Sequence, residues 1–369
     1  MEEASKGSIH YKNIRRYEDL MILKKEELKN NPQAFFSSIY TPPLSTKATG
    51  GSTGMPLLYH TTREAQSYMW AGIILSWKVA GYRIGDRVAF IAGPSLFKSG
   101  LKHRLFHKLL NIRTFSTFSL TEEDIQEHIS SIRKQKINII YGYATALNRI
   151  AEYLKKYDNT GFPDLKGIVS TAEVLTDAHR KNIEEGFGVN VFNQYGCNEG
   201  GVSAFECEEH HLHLISTKCK YELDDDGNLI ATDLINRGFF MLRYFTGDKL
   251  VMAEEQTCAC GRSFPVIEKV LGRSYDMVVD NNNKVLHAAF FNILFKQDPS
   301  IKQFQIQFDK NKISIYLNVD ESKAKEENYS KYMDIVKQHL CFNEYSLKIN
   351  TPFLLSQNAK HKYVVNTAA

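Results

Sequence analysis

Apolar positions in this 369-residue chain alternate between two rhythms over its first two hundred residues. Compact runs at RVAFIAG (87–93), INIIYGY (137–143), LKGIVSTA (165–172) and VNVFNQYG (189–196) have the length and β-branched content of buried strands. Between them, residues 63–82, 121–135, 144–157 and 175–187 space their apolar side chains at the helical period. Thr121 and Thr176 stand where N-caps belong, and the Gly81 region supplies a stop. Residues 12–40 also read as helix, closing at Thr41-Pro42-Pro43. Such alternation predicts a parallel α/β sheet with helices on both faces and ligands at the carboxyl ends of its strands.

From about residue 212 the texture becomes that of hairpins, with a turn at Asp225-Asp226-Gly227. Beyond Gly272-Arg273 come two strand-like runs, FQIQF (304–308) and KISIYLNV (312–319), then a Lys/Glu-rich helix and the short strand SLKIN (346–350). The expectation is α/β (α+β overall). A large N-terminal domain, 1–272, has a parallel sheet plus a β-rich lobe, and a small mobile C-terminal α+β domain follows at 273–369.

Composition narrows the possible partners. Apolar residues are 43% and aromatics 12% of the chain, enough for a substantial core and an apolar pocket. The net charge of +4 is spread along the sequence, without the clustered basic stripe of a nucleic-acid protein. No window approaches the roughly 20 apolar residues of a membrane span, and the first twenty residues have no secretory h-region. A cytoplasmic protein is expected. Its six cysteines, at 197, 207, 219, 258, 260 and 341, all fall in the second half, which favours metal over disulfides.

Five segments could carry chemistry. Thr49-Gly50-Gly51-Ser52-Thr53-Gly54-Met55-Pro56 has glycines that let backbone N–H groups face an anion, with hydroxyls beside them. It is no Walker loop, because Met55 follows the last Gly where Lys is required. Residues 192–201 follow a strand, so Tyr195 can stack on a base and Glu199 can ligate Mg²⁺. Asp248 follows Gly247 in Arg243-Tyr244-Phe245-Thr246-Gly247-Asp248 and can accept from ribose hydroxyls. Cys207, His213, Cys258 and Cys260 make a closed three-thiolate, one-imidazole set suited to structural zinc. The alternative is three buried thiols beside a surface His, and His210, His211 and Cys219 are rival ligands. A basic tail at 356–363 contains Lys360 and Lys362. Taken singly, the other four segments read as a turn, a strand end, a hairpin and a solvated tail.

Their order is more specific. The Gly-rich loop, YGCNEGG, RYFTGD, GRSYDMV and a late Lys together resemble the adenylate-forming superfamily of acyl-CoA synthetases and adenylation domains. GGSTGMP, the Cys/His set and CACGRSFP resemble its phenylacetate–CoA ligase and coenzyme F390 synthetase-like branch. The resemblance implies that Ser52, Thr53 and Gly54 hold the ATP phosphates, Tyr195 and Gly196 the adenine, and Asp248 the ribose. Glu199 would hold Mg²⁺, Glu173 would face the nucleotide, and Arg273 would lie at a hinge. Tyr141, Gly142 and Tyr143 would shape an acyl pocket, and Lys360, with Lys362 as the other choice, would act on the carboxylate and α-phosphate. It further implies ATP, Mg²⁺, structural Zn²⁺ and coenzyme A as cofactors or co-substrates, a small carboxylic acid as substrate, and a homodimer. A carrier protein in place of coenzyme A, and a catalytically silent zinc-braced scaffold, are the alternatives. Three positions depart from the family pattern: Tyr275 two after the hinge Arg, Asn198 before the acidic residue, and NAKHKY around the late Lys.

Overall fold

The computed structural model describes residues 1–48, 57–92, 101–117, 120–273, 277–282, 284–287, 290–291, 294–295, 298, 300–320, 329–354 and 362–368, with the backbone alone at 101–104, 273, 277, 285 and 287. Most of the expected elements form close to their sequence limits. Helix α1 (Glu2–Gly7) and α2 (Lys25–Asn30) come first, then the hairpin β1 (Ser45–Ala48) and β2 (Leu58–Thr61). Helix α3 (Arg63–Val79) leads to β3 (Val88–Ala92), α4 (Leu101–Leu109), β4 (Ile112–Ser116) and α5 (Glu122–Lys134). The alternation continues through β5 (Ile139–Tyr143), α6 (Ala144–Tyr157), β6 (Gly167–Thr171), α7 (Asp177–Phe187) and β7 (Val191–Cys197). The caps act as the sequence implies: the Thr121 side chain accepts from Asp124 N–H and Thr176 from His179 N–H, each satisfying an orphan donor.

The hairpin region supplies β8 (Val202–Glu206), β9 (Leu212–Leu214), β10 (Cys219–Leu223), β11 (Asn228–Asp233), β12 (Tyr244–Met252) and β13 (Val266–Arg273). Instead of forming a separate layer, these strands extend the parallel sheet. One eleven-stranded sheet runs β10-β11-β12-β13-β9-β8-β7-β6-β5-β3-β4. It is parallel from β4 to β7 and antiparallel from the β7–β8 pair onward. Helices α5, α6 and α7 bury Ile125, Ile129, Leu147, Ile150 and Ile183 against one face. On the other face α3 packs Trp77 with Phe90, Tyr141, Val169 and Phe192.

A second sheet has a separate core. Short strands β14 (Met277–Val279) and β15 (Val285–His287) precede β16 (Ile301–Phe308), β17 (Lys312–Val319), α8 (Ser330–His339), β18 (Glu344–Ile349) and β19 (Val364–Asn366). The last four strands order as β18-β17-β16-β19, closing on Phe291, Phe304, Ile306, Ile315 and Val336.

One expectation fails. Residues 12–40 contain no long helix but only α2 and two single turns. Leu23 N–H donates to the Arg243 carbonyl and Phe245 N–H to the Leu23 carbonyl, both at 2.9 Å, so this stretch pairs with the lobe like a strand. Tyr11, Leu20, Leu23, Leu28 and Phe35 are buried against Phe239, Met241 and Tyr244. Contacts more than 200 residues away in sequence outweigh local propensity here. Among the described residues no helix is long and apolar enough to cross a membrane.

Candidate functional site

A cleft of about 2730 Å³ opens at the carboxyl ends of β5, β6 and β7, under α3 and beside β12–β13 and residues 362–363. That is well beyond the roughly 300–1000 Å³ of an ordinary ligand pocket. Lys47 and Ala48 at the end of β1, and Tyr59 in β2, border it, so both strands flanking residues 49–56 reach its rim. Ser52, Thr53 and Gly54, together with Lys360 and Tyr275, lie outside the described residues.

Tyr195 and Asp248, 53 residues apart, meet in the cleft: the phenol donates to Asp248 Oδ2 at 2.6 Å. Burial, then the Asp248 charge, raises the Tyr195 hydroxyl well above the ordinary tyrosine range. Asp248 N–H donates to Thr246 Oγ1 at 3.1 Å, across an irregularity of β12 that Gly247 permits with φ at +77°. Across the ladder, Asp248 pairs in register with Arg273. Glu199, in the turn after β7, is half-buried and does not border the cleft, and its charge acts on both Tyr59 and Tyr195.

Glu173 is fixed at the mouth of α6. Thr145 N–H and Oγ1 donate to its Oε2 at 2.9 and 2.8 Å, so the carboxylate takes an orphan helix donor at the positive end of the dipole. Just before it, Ala172 has φ of +65°, a strained left-handed conformation for a residue with a Cβ. Tyr141, Tyr143 and Gly196 border the cleft. Gly142 does not. A Cβ there would lie 2.7 Å from the Ile91 carbonyl oxygen, so this glycine serves the close approach of β3 and β5 rather than a pocket wall.

Hydrogen bonds that the motifs did not foretell complete the wall. Tyr141 and Thr171 hydroxyls both donate to Gln194 Oε1, at 2.9 and 2.5 Å, and Gln194 Nε2 donates to the Tyr195 carbonyl at 3.0 Å. Trp70, Ile74, Phe90 and Phe106 line the neighbouring apolar part. Helical periodicity indicates that α3 is amphipathic but not which of its rings reaches the cleft.

Cys207, His213, Cys258 and Cys260 present ligand atoms within 4.8 Å of one another. Cys207 Sγ and Cys258 Sγ are 3.7 Å apart, and Cys260 Sγ is 3.4 Å from His213 Nε2. A tetrahedral ion with Zn–S bonds of about 2.3 Å needs sulfurs roughly 3.8 Å apart. His213 Nδ1 lies 3.0 Å from the Phe264 carbonyl, which makes it the protonated nitrogen and leaves Nε2 to a metal. Of the rivals, His211 Nδ1 lies 3.1 Å from Cys258 Sγ at the rim of the group, and His210 stacks on Phe192. Burial pushes the Cys207 thiol up to about 12 in the bare protein, a direction that a cation would reverse.

At the other end of the cleft, Gln305 of β16 is fully buried and uses its whole amide. Nε2 donates to the Leu354 and Lys362 carbonyls at 2.8 and 2.9 Å, while Oε1 accepts from Leu354 N–H at 2.9 Å and Gln307 Nε2 at 2.8 Å. One side chain thus ties together the two feet of residues 355–361. Lys362 and Tyr363 border the cleft, and Tyr363 is within electrostatic reach of Glu173.

The architecture is that of the adenylate-forming ligases. A solved structure of 2-hydroxyisobutyryl-CoA ligase in the postadenylation state, with R3-HIB-AMP, superposes with a TM-score of 0.72 at 15% identity, covering 99% of this chain and 86% of that one. An anthranilate CoA ligase bound to anthranoyl-AMP superposes at 0.58 and 16% identity, over 86% of this chain and 65% of that one. In sequence, the chain is 26% identical over 281 residues to protein CapK of Staphylococcus aureus, which covers 73% of this chain and 62% of CapK. It is 27% identical over 316 residues to phenylacetate-coenzyme A ligase of Thermus thermophilus, or 80% of this chain and 70% of that enzyme. The chain therefore spans a little under two thirds of the length of CapK. No family model matches it. The fold is thus that of the adenylate-forming CoA ligases, and the sequence is similar to phenylacetate-coenzyme A ligases.

Proposed function

We propose that this protein joins ATP and a small carboxylic acid into an acyl-adenylate and then passes the acyl group to the thiol of coenzyme A. The observation that carries the reading is the Tyr195–Asp248 pair, set in a cleft that the strands flanking 49–56 and residues 362–363 also border. A carboxylate is a poor acyl donor because oxide is its leaving group. Attack of a carboxylate oxygen on the α-phosphorus of ATP expels pyrophosphate and leaves AMP as the leaving group. The thiol then attacks the acyl carbon, and AMP departs.

In this reading Tyr195 and Gly196 flank the adenine and Asp248 accepts from the ribose hydroxyls. Ser52, Thr53 and Gly54 hold the phosphates, and Glu173 closes the nucleotide side. Fixed donors and the Lys360 ammonium stabilise the charge that develops on phosphorus. Glu199 would hold Mg²⁺, which would neutralise phosphate charge when bound; its carboxylate lies within electrostatic reach of Tyr195, in the turn after β7. Cys207, His213, Cys258 and Cys260 would hold a zinc ion that braces the lobe. Residues 273–369 would act as a lid turning near Arg273 between the two half-reactions. The protein would act in the cytoplasm.

The test is ATP–pyrophosphate exchange across a panel of acids, followed by coenzyme A and a carrier protein as rival acceptors. Lys360→Ala should abolish exchange while sparing thiol attack on supplied acyl-adenylate. Equal loss of both half-reactions would remove that role, and exchange with no acid would remove the ligase reading.

A further inference from the structure

The face of the sheet beneath α3 presents a row of side chains from successive strands near their carboxyl ends. Phe90 pairs in register with Tyr141, Tyr141 with Val169, and Thr171 with Gln194. Phe90, Tyr141, Thr171 and Gln194 all border the cleft, opposite Trp70 and Ile74 of α3. Most of this compartment is apolar and aromatic, yet three adjacent positions in its floor are polar. The polar three are almost fully buried, between 5% and 6% exposed.

Their hydrogen bonds can be followed to a definite remainder. The Tyr195 carbonyl only accepts, so the Gln194 amide must turn Nε2 toward it and Oε1 toward the two hydroxyls. Oε1 then receives the hydrogens of both Tyr141 and Thr171. The Tyr141 hydroxyl also donates to Thr171 Oγ1 at 3.3 Å, so both hydroxyl hydrogens are spent within the strip and only the remaining oxygen lone pairs are left for a guest. A few ångströms of strand away, Ser203 lies opposite Gly196 in the β7–β8 ladder and also borders the cleft. It is 5% exposed, and its hydroxyl forms no hydrogen bond among the described residues. An added Cβ at Gly72 would sit 2.9 Å from Ser203 Oγ, so α3 carries a glycine where that hydroxyl stands. Buried polar atoms are costly unless paired, and this strip leaves acceptor capacity that an apolar guest cannot use.

We infer that the compartment under α3 selects a carboxylic acid whose ring or apolar body bears a hydrogen-bond donor, a hydroxyl or an amino group, read by the Tyr141–Thr171–Gln194 strip. The inference rests on the adenylating function proposed above and gives its substrate a chemical class. Tyr141, Thr171 and Gln194 are specificity-determining residues; the aromatic walls hold the body of the acid, and the strip rejects the analogue that would leave its oxygens dry.

The test uses matched acids on the full chain: phenylacetate against its 2-, 3- and 4-hydroxy derivatives, 4-aminophenylacetate, and 4-methoxyphenylacetate, which only accepts. In ATP–pyrophosphate exchange at least one donor-bearing acid should exceed phenylacetate by about tenfold or more in kcat/KM, with the methoxy acid gaining nothing. The hydroxy and amino arms separate the two donors. Thr171→Val, nearly isosteric, should shrink the ratio between the favoured acid and phenylacetate. Equal rates across the pairs would overturn the inference and leave the ligase reading standing. If no acid supports exchange, the ligase reading falls, and calorimetric binding of the same pairs still decides the strip: no preference for the donor-bearing member overturns it.

Discussion

Gln305→Leu is the perturbation that tests most directly how the end of the chain is held. Leucine nearly matches glutamine in volume, so the change deletes hydrogen bonds without opening a cavity. It strands the Leu354 N–H and carbonyl and the Lys362 carbonyl, and it takes the partner from Gln307 Nε2. Each buried polar group left dry costs about 1–3 kcal/mol. Leu354 is 48% exposed, so its backbone groups regain water readily, whereas Gln307 is buried beside β17. Counting two groups as stranded and the rest as rehydrated gives a loss of about 2–6 kcal/mol. Urea unfolding followed by circular dichroism would register this as a lower midpoint at unchanged slope. In exchange assays the adenylation half-reaction should fall further than thiol attack, because the feet of the segment bearing Lys360 come apart. A variant within about 0.5 kcal/mol of the parent would show that water replaces this amide at no cost and would refute the clamp.

Three further outcomes are expected. Burial holds His179 down to about 4, and its Nδ1 has no partner among the described residues, so the unfolded chain, titrating near 6.5, binds more protons between these limits. Stability should then fall as pH drops from about 6.5 to 4, by up to about 1.4 kcal/mol per unit, and His179→Leu should flatten that slope in pH-dependent denaturation. Purified protein should contain about one zinc per chain by elemental analysis, lost together with thermal stability in a Cys258→Ser/Cys260→Ser double variant. Gly142→Ala places a methyl 2.7 Å from the Ile91 carbonyl and should cost about 1–3 kcal/mol in urea, with little effect on which acid is chosen.

What the sequence reveals about this fold follows the range of the interactions involved. The α6 limits and the Thr121 and Thr176 caps depend on neighbours within one helical turn, so local pattern suffices. The Cys/His quartet is legible because thiolate and imidazole chemistry narrows the possible partners, even at a separation of 51 residues between Cys207 and Cys258. Residues 12–40 mislead because they read as helix while their backbone partners, Arg243 and Phe245, lie far along the chain. Ser203 and Gln305, and the hydrogen bonds of Gln194 and Thr171, are silent for a related reason. A lone amide or hydroxyl in a strand carries no periodicity, and its importance appears only when the facing strand is in place. The continuation of the parallel sheet into the hairpin region was equally hidden, since strand order is not written in strand composition.

The docking of the first 36 residues against the lobe also has a consequence for synthesis. Leu23 and Phe36 bridge to Tyr244 and Phe239, and Arg243 Nη1 donates to the Leu20 carbonyl at 2.6 Å. At ribosomal rates of about 5–20 residues per second, roughly 10–40 s separate emergence of the first partner from that of the second. Throughout that interval Tyr11, Leu20, Leu23 and Phe35 have nowhere native to go. The nascent leader is therefore a natural client for a holding chaperone, and slowing elongation before residue 240 should raise the yield of aggregate rather than of folded protein.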